Sequence, residues 1–192
     1  MLAHTLALEP SAAASVAEPT LRQRQQAFVE QHRGFVARVL WSRGTPRGHL
    51  DDAVQQVFLV ALRQLATIRD ERAFLYGVAS RVSQEVARSV RRHAPSAEPE
   101  ALERQAAPDP GGEELLDRKR ARELLDETLE SLPEDARVVF VLYEIEGLTL
   151  EEIAHAIDAP RGTVSSRLKR GRELFKRATK RLRARFAKES AR

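Results

Sequence analysis

The stretch LTLEEIAHAIDAPRGTVSSRLKR, from Leu148 to Arg170, decides the fold. It reads as two short helices joined by a tight turn, with Arg, Lys, Ser and Thr crowded into the second. Thr149 can cap the first helix, its hydroxyl accepting from an orphan backbone N–H, and Glu152 can reach back to complete a capping box. Ile153, Ala154 and Ile157 then share one apolar face, and Ala154 is small where two helices must approach. Asp158-Ala159-Pro160 stops the helix. Aspartate tolerates left-handed backbone better than most residues, and Pro160 suits the first turn of a new helix. In that helix Val164 and Leu168 face inward, which leaves Arg161, Thr163, Ser165, Ser166, Lys169 and Arg170 outside. This is the helix-turn-helix pattern, whose second helix enters the DNA major groove. Arginine and lysine there can bond guanine edges or phosphates, and serine and threonine can take either role.

The charge distribution points the same way. Residues 161–192 hold 13 Lys or Arg against two Glu, a net of +11. Residues 113–160 hold 14 acidic against five basic residues, a net of −9. The whole-chain value of +4 hides this asymmetry. A basic helix beside a recognition helix is the electrostatic footprint of phosphate binding. The acidic block repels DNA and should face elsewhere, toward a basic partner.

The chain has 192 residues, enough for one domain or two small ones. It has no cysteine, which removes disulfides and thiolate metal sites and fits a cytoplasmic protein. No apolar run approaches the ~20 residues of a membrane helix, so no membrane insertion is expected. The first ten residues, MLAHTLALEP, lack the basic n-region of a secretion signal. Residues 1–20, rich in Ala, Ser and Pro, read as a disordered tail. Residues 94–112, with Pro95, Pro99, Pro108, Pro110 and a glycine pair, read as a linker.

On either side of that linker the periodicity is helical. Leu21 to Ser42 carries a stripe of Phe28, Val29, His32, Phe35, Val36, Val39 and Leu40. Leu50 to Ile68 repeats Leu50, Val54, Val57, Phe58, Ala61, Leu62 and Leu65, with Asp51 and Asp52 in a first turn that favours anions. Glu71 to Arg92 repeats Phe74, Val78, Val82, Val86 and Val90. Downstream, Glu114 to Ser131 forms one helix. Pro133 opens another in which Val138, Val139, Leu142 and Ile145 face inward, and Gly147 ends it. The last helix runs on from the recognition helix. No segment shows strand alternation. The expected fold is therefore all-α: two small helical domains, 21–93 and 113–192, joined by a flexible linker that leaves them mobile, the second domain a helix-turn-helix.

Several stretches in order resemble the bacterial RNA polymerase sigma factors, most closely the small two-domain extracytoplasmic-function class. Asp52-Ala53-Val54-Gln55-Gln56-Val57-Phe58-Leu59 resembles the Asp-x-x-Gln-Glu-x-Phe signature of the domain-two helix that docks on polymerase. Phe74-Leu75-Tyr76-Gly77-Val78-Ala79 is similar to the start of the promoter-melting helix. Leu132-Pro133, Tyr143, Glu146-Gly147-Leu148, Glu151-Glu152-Ile153-Ala154 and Pro160 through Leu168 resemble domain four. Gln56 stands where Glu is usual, Arg81 where Asn is, and Glu85 replaces a frequent Asp.

The resemblance implies a factor that binds core RNA polymerase and directs it to promoter DNA, with an anti-sigma factor as a further partner. It implies that Asp51, Asp52, Gln55 and Gln56 hold polymerase. Tyr76, Ser80, Arg81, Gln84, Arg88 and Arg91 would lie at the downstream, melted element, with Phe74 and Ser83 near them and Phe74 the more core-like of the two rings. Arg161, Thr163, Ser165, Ser166, Arg167, Lys169 and Arg170 would meet the upstream element, Arg167 reaching a phosphate from beside the packed Leu168. The histidines at 4, 32, 49, 93 and 155 lack metal-ligand spacing. No nucleophile triad or phosphate loop is present, so neither enzymatic activity nor a cofactor is expected. Two rivals use the same residues: a stand-alone regulator binding an operator as a dimer, and a helical adaptor with a solvated basic tail.

Overall fold

The computed structural model describes residues 20–93 and 112–189, and these are helical with no strand among them. The expected tail and linker lie outside the described residues, apart from Thr20 and Gly112. Helix α1 spans Leu21–Ser42, α2 Leu50–Arg63, α3 Glu71–His93, α4 Gly112–Glu130, α5 Glu134–Phe140, α6 Leu150–Ala156 and α7 Arg161–Glu189.

Local chemistry sets the ends. Thr20 caps α1 with a reciprocal box, its hydroxyl accepting from the Gln23 N–H at 3.3 Å while the Gln23 side chain accepts from the Thr20 N–H at 2.7 Å. The Asp70 carboxylate accepts from the Ala73 N–H at 2.9 Å and so opens α3. Helix α2 stops at Arg63 rather than at Ile68. The Gln64 carbonyl accepts both the N–H and the hydroxyl of Thr67 at 2.9 Å, which closes a separate turn. Leu65 and Ile68 still pack on the core from that turn, so their spacing imitated a longer helix.

In the N-terminal half, α1, α2 and α3 pack pairwise. Val36, Val39 and Leu40 meet Ala53, Val57 and Ala61 of α2 and Leu75, Val78 and Ala79 of α3 in a fully dry core. In the C-terminal half, α5 and α6 pack against α7. After α5 the chain widens into a π-turn over Val141–Ile145, with the Glu146 N–H bonded to the Val141 carbonyl at 3.0 Å. The wide turn rotates Ile145 off the inward stripe, and it lies exposed instead of buried. Gly147 then takes a φ of 69°, which a side chain would strain, and the Leu148 N–H returns to the Leu142 carbonyl at 3.0 Å.

The halves, expected to move independently, lie against each other. Val138, Val139, Leu142, Ile153, Val164 and Leu168 belong to the same buried cluster as the N-terminal core. Helix α3 packs on α6, and α1 on α5 and the π-turn. The acidic block faces this boundary. Arg43 pairs with Glu134 at 3.1 Å, Arg47 with Asp126 at 2.8 Å, and Arg38 with Glu146. Arg72 donates to the Glu146 carbonyl at 2.9 Å, and Arg137 crosses the other way, to the Ser42 carbonyl at 2.9 Å. Trp41 sits under Arg137, its ring centroid 5.8 Å from the guanidinium, and joins a second cluster with Leu129, Phe140, Leu174 and Phe175.

Candidate nucleic-acid interface

The helix-turn-helix forms as its residues dictate. Thr149 and Glu152 make the capping box, the Thr149 N–H donating to the carboxylate at 2.7 Å and the Glu152 N–H to the threonine hydroxyl at 3.2 Å. These bonds from Thr149 hold the Glu152 carboxyl below its ordinary range. Ile153 is completely buried. Asp158 makes the turn at a φ of 50°, the only positive φ outside glycine among the described residues. The Pro160 carbonyl then accepts from Thr163 at 2.9 Å and Val164 at 3.1 Å, so Pro160 is the cap just outside α7.

Val164 and Leu168 anchor the recognition helix from beneath. Arg161, Ser165, Ser166, Lys169 and Arg170 are exposed, and Thr163 and Arg167 are half-buried. Arg161 pairs with Glu151 of α6 at 2.6 Å, and the Ser166 hydroxyl donates to its own helix at the Gly162 carbonyl, 2.9 Å away. Arg167 departs from the group. It leans toward Asp135 of α5, at 3.6 Å, and lines a cleft with Arg43, Tyr76, Glu134 and Ile157. The recognition helix and its basic extension are one unbroken helix of 29 residues.

Two residues confine this helix in ways the sequence reading missed. Gly171 is buried where α7 crosses α5, and a Cβ there would stand 3.2 Å from the Ala136 carbonyl. Its signal was a lone glycine inside a long helical pattern, which marks close helix approach. Arg172 lies over the Tyr143 ring at 5.1 Å and bonds Glu144 at 2.6 Å.

On α3 the expected residues divide. Arg81, Gln84, Arg88 and Arg91 form an exposed stripe, with Ser80 half-buried at its edge. Arg81 and Arg88 each donate to a carbonyl one turn earlier, at 3.2 Å and 3.3 Å. Tyr76 is not on that stripe. It is only 5% exposed, and burial pushes its hydroxyl above the usual phenol range. Phe74, expected to be the more core-like ring, is the more accessible of the two. Ser83, expected near the melted strand, is buried and structural: it accepts from Thr45 at 3.1 Å and donates to the Arg43 carbonyl at 3.3 Å.

On α2, Asp51, Asp52, Gln55 and Gln56 are all exposed, and Arg33 lies 3.7 Å from Asp51. Leu59 and Val60 extend that face as exposed apolar side chains, and Leu59 lines a groove with Val29, Val54, Phe58 and Leu62. Leu59 falls one turn beyond Gln55, a position the polar stripe predicts to be wet. Among the described residues no cluster of His, Asp and Glu could hold a metal ion, and no helix is long and apolar enough to cross a membrane.

Comparison with known proteins adds to this geometry. The family described as sigma-70, region 4 matches residues 122–175. The ECF RNA polymerase sigma-E factor of Escherichia coli strain K12 is 37% identical over 144 residues, covering 70% of this chain and 75% of that protein. Its Haemophilus influenzae counterpart is 31% identical over 159 residues, covering 77% and 83%. Among solved structures, the sigma factor RpoE in complex with the anti-sigma factor NepR from Bartonella quintana has the same fold, with a TM-score of 0.61 at 17% identity, covering 81% of this chain and 96% of that one. CnrH, solved with the cytosolic domain of CnrY, gives a TM-score of 0.55 at 24% identity, covering 81% and 89%.

Proposed function

This chain belongs to the extracytoplasmic-function (ECF) RNA polymerase sigma factors, and we propose that residues 21–93 and 113–192 are its two promoter-contacting units. It is a non-enzymatic initiation factor that binds core polymerase and directs it to promoters.

The observation that carries the assignment is the face presented by the first turns of α7. Arg161, Ser165, Ser166, Lys169 and Arg170 stand exposed together on a helix that a capped α6 and a left-handed Asp158 hold at a fixed angle. That face enters the major groove of the upstream element, where an arginine bonded to guanine through two N–H groups discriminates by ~1–3 kcal/mol. Thr163 and Arg167 flank it and reach the phosphates. The exposed α3 stripe of Arg81, Gln84, Arg88 and Arg91, with Ser80, tracks the downstream element, and Tyr76 supplies a ring for an unpaired base. Asp51, Asp52, Gln55 and Gln56 of α2 meet polymerase, and Leu59 and Val60 add the apolar contact a stable interface needs at its centre. An anti-sigma factor is the third partner, as family membership implies, and the cytoplasm is the site of action because polymerase works there.

Run-off transcription with purified core polymerase and a promoter library tests this. Initiation from a defined promoter subset that depends on this chain is expected. Tight operator binding with no effect on initiation overturns the reading and restores the stand-alone regulator.

A further inference from the structure

The arginines in the first turns of α7 have acidic residues beside them. Arg161 faces Glu151 of α6, and both side chains are largely exposed. Arg167 and Arg170 share a single carboxylate, that of Asp135 on α5. Its Oδ2 lies 3.6 Å from Arg167 Nε and 4.0 Å from Arg170 Nη1. The two arginines are three residues apart, so they stand on one side of α7. Asp135 is more covered than Glu151, and its other oxygen accepts from the Ala136 N–H at 2.9 Å. Neighbouring Glu134 turns away to Arg43, at 3.1 Å, so the two acids in the first turn of α5 serve different partners. The backbone beneath is equally constrained. Helices α5 and α7 cross so tightly that a Cβ on Gly171 would stand 3.2 Å from the Ala136 carbonyl. Asp135 precedes one of these residues and Arg170 precedes the other. Carboxylate and guanidinium therefore start from neighbouring points on two helices in contact.

We propose that Asp135 is a positioning residue for upstream-element recognition: from behind α7 it aims Arg170 at a base edge and Arg167 at the adjoining backbone. The inference rests on the reading that the first turns of α7 enter the major groove. Both distances are those of ion pairs rather than hydrogen bonds, so the carboxylate biases the guanidinium groups without tying them down. Arg170 turns Nη1 toward Asp135. The edge that carries Nε and Nη2 stays open, and it supplies the two parallel N–H groups that a guanine accepts. A long side chain gives up rotamer freedom when it reads a base, and a charge at its back removes part of that freedom before DNA arrives. The same carboxylate repels phosphates. Asp135 therefore costs affinity for DNA of any sequence while raising the preference for the right one, and these opposite effects make its role measurable.

The test uses the full chain assembled with core polymerase, titrated against promoters that carry every single-base substitution in the upstream element. Asp135→Asn removes the charge but keeps an oxygen for the Ala136 N–H, so its melting temperature should stay close to the parent's. The variant should bind unrelated DNA more tightly and with a steeper salt dependence. At the base pairs that Arg170→Ala relaxes, its preference should fall about three- to tenfold. Asp135→Asn combined with Arg170→Ala should lose no more preference than Arg170→Ala alone, because the carboxylate acts through that arginine. Glu173→Gln is the charge-matched control: it removes an exposed carboxylate one turn beyond Arg170 and should leave base preference unchanged. Asp135→Asn with the parent's base preference overturns the proposal, and so does an equal loss from Glu173→Gln or an additive loss in the double variant. Tighter binding with sharper preference also overturns it, since Asp135 would then hold the arginines back from DNA. A parent chain that shows no upstream preference at all is a different failure: it overturns the reading of α7 and the role of Asp135 with it.

Discussion

Glu146 accepts from the guanidinium Nε of Arg38, 108 residues earlier in the chain, and the glutamate side chain is only 5% exposed. A covered carboxylate that loses its donor keeps its desolvation cost. Arg38→Ala should lower stability by about 1–3 kcal/mol, toward the lower end because Arg38 itself is half-exposed and water can enter. The midpoint of urea unfolding measures this, and an unmoved midpoint shows that the pair contributes nothing.

The Thr149 cap should be worth about 1 kcal/mol to the helix-turn-helix, so Thr149→Ala lowers the melting temperature while Thr149→Ser largely preserves it. The effect depends on pH in a definite direction. Thr149 holds the folded Glu152 carboxyl below its unfolded range, so this stabilisation is complete above the ordinary glutamate range and is lost as pH falls through the lowered value. In thermal scans from neutral to acid pH both variants should lose the carboxylate's contribution, and the gap between them should narrow without closing, because the bond from the Glu152 N–H to the hydroxyl does not titrate.

Asp158 occupies a conformation that costs a side chain about 1–2 kcal/mol. Asp158→Gly should match or exceed the parent in stability, and Asp158→Val should fall below it by an amount in that range. The opposite ranking would mean that the turn is held by something other than backbone preference.

Gly171→Ala sets two effects against each other. Helix propensity favours alanine by about 1 kcal/mol. The new methyl would press on the Ala136 carbonyl of α5, and backbone within a helix gives way poorly. Overpacking of this kind costs about 1–3 kcal/mol, so the variant should be net destabilised. Calorimetry on the full chain reports the sign.

Arg170 and Lys176 share α7 but should behave differently on DNA. Arg170→Ala should relax preference at one or two upstream base pairs by about 1–3 kcal/mol. Lys176→Ala should weaken binding evenly across sequences and reduce the salt slope by about 1. A panel of single-base promoter substitutions, titrated at several salt concentrations, separates the two.

What could be read from the residues follows from how locally each feature is determined. The capping box, the Asp158 turn and the Val164–Leu168 anchor are set within a few residues of themselves, and they form as expected. The bounds of α1 and α3 were equally legible, because each is a long stripe with a cap. The end of α2 was not: Leu65 and Ile68 keep helical spacing while packing from a turn. Ile145 was misplaced because one extra residue in the π-turn rotates everything after it, and nothing in the composition announces that insertion. Tyr76 and Arg167 escaped for a different reason. Their surroundings come from the opposite half of the chain, and no local pattern encodes which faces of two units will meet.

The single helix from Arg161 to Glu189 has a mechanical consequence. At ~1.5 Å per residue its 29 residues form a rod about 43 Å long, with the base-reading turns at one end. A stiff rod turns small angles into large displacements: a tilt of about 5° in the groove moves the far end by about 4 Å. The angle at which one short helix seats among the bases is therefore transmitted as a position, on the scale of a side chain, to whatever stands beside the other end. α7 is both a reader and a pointer.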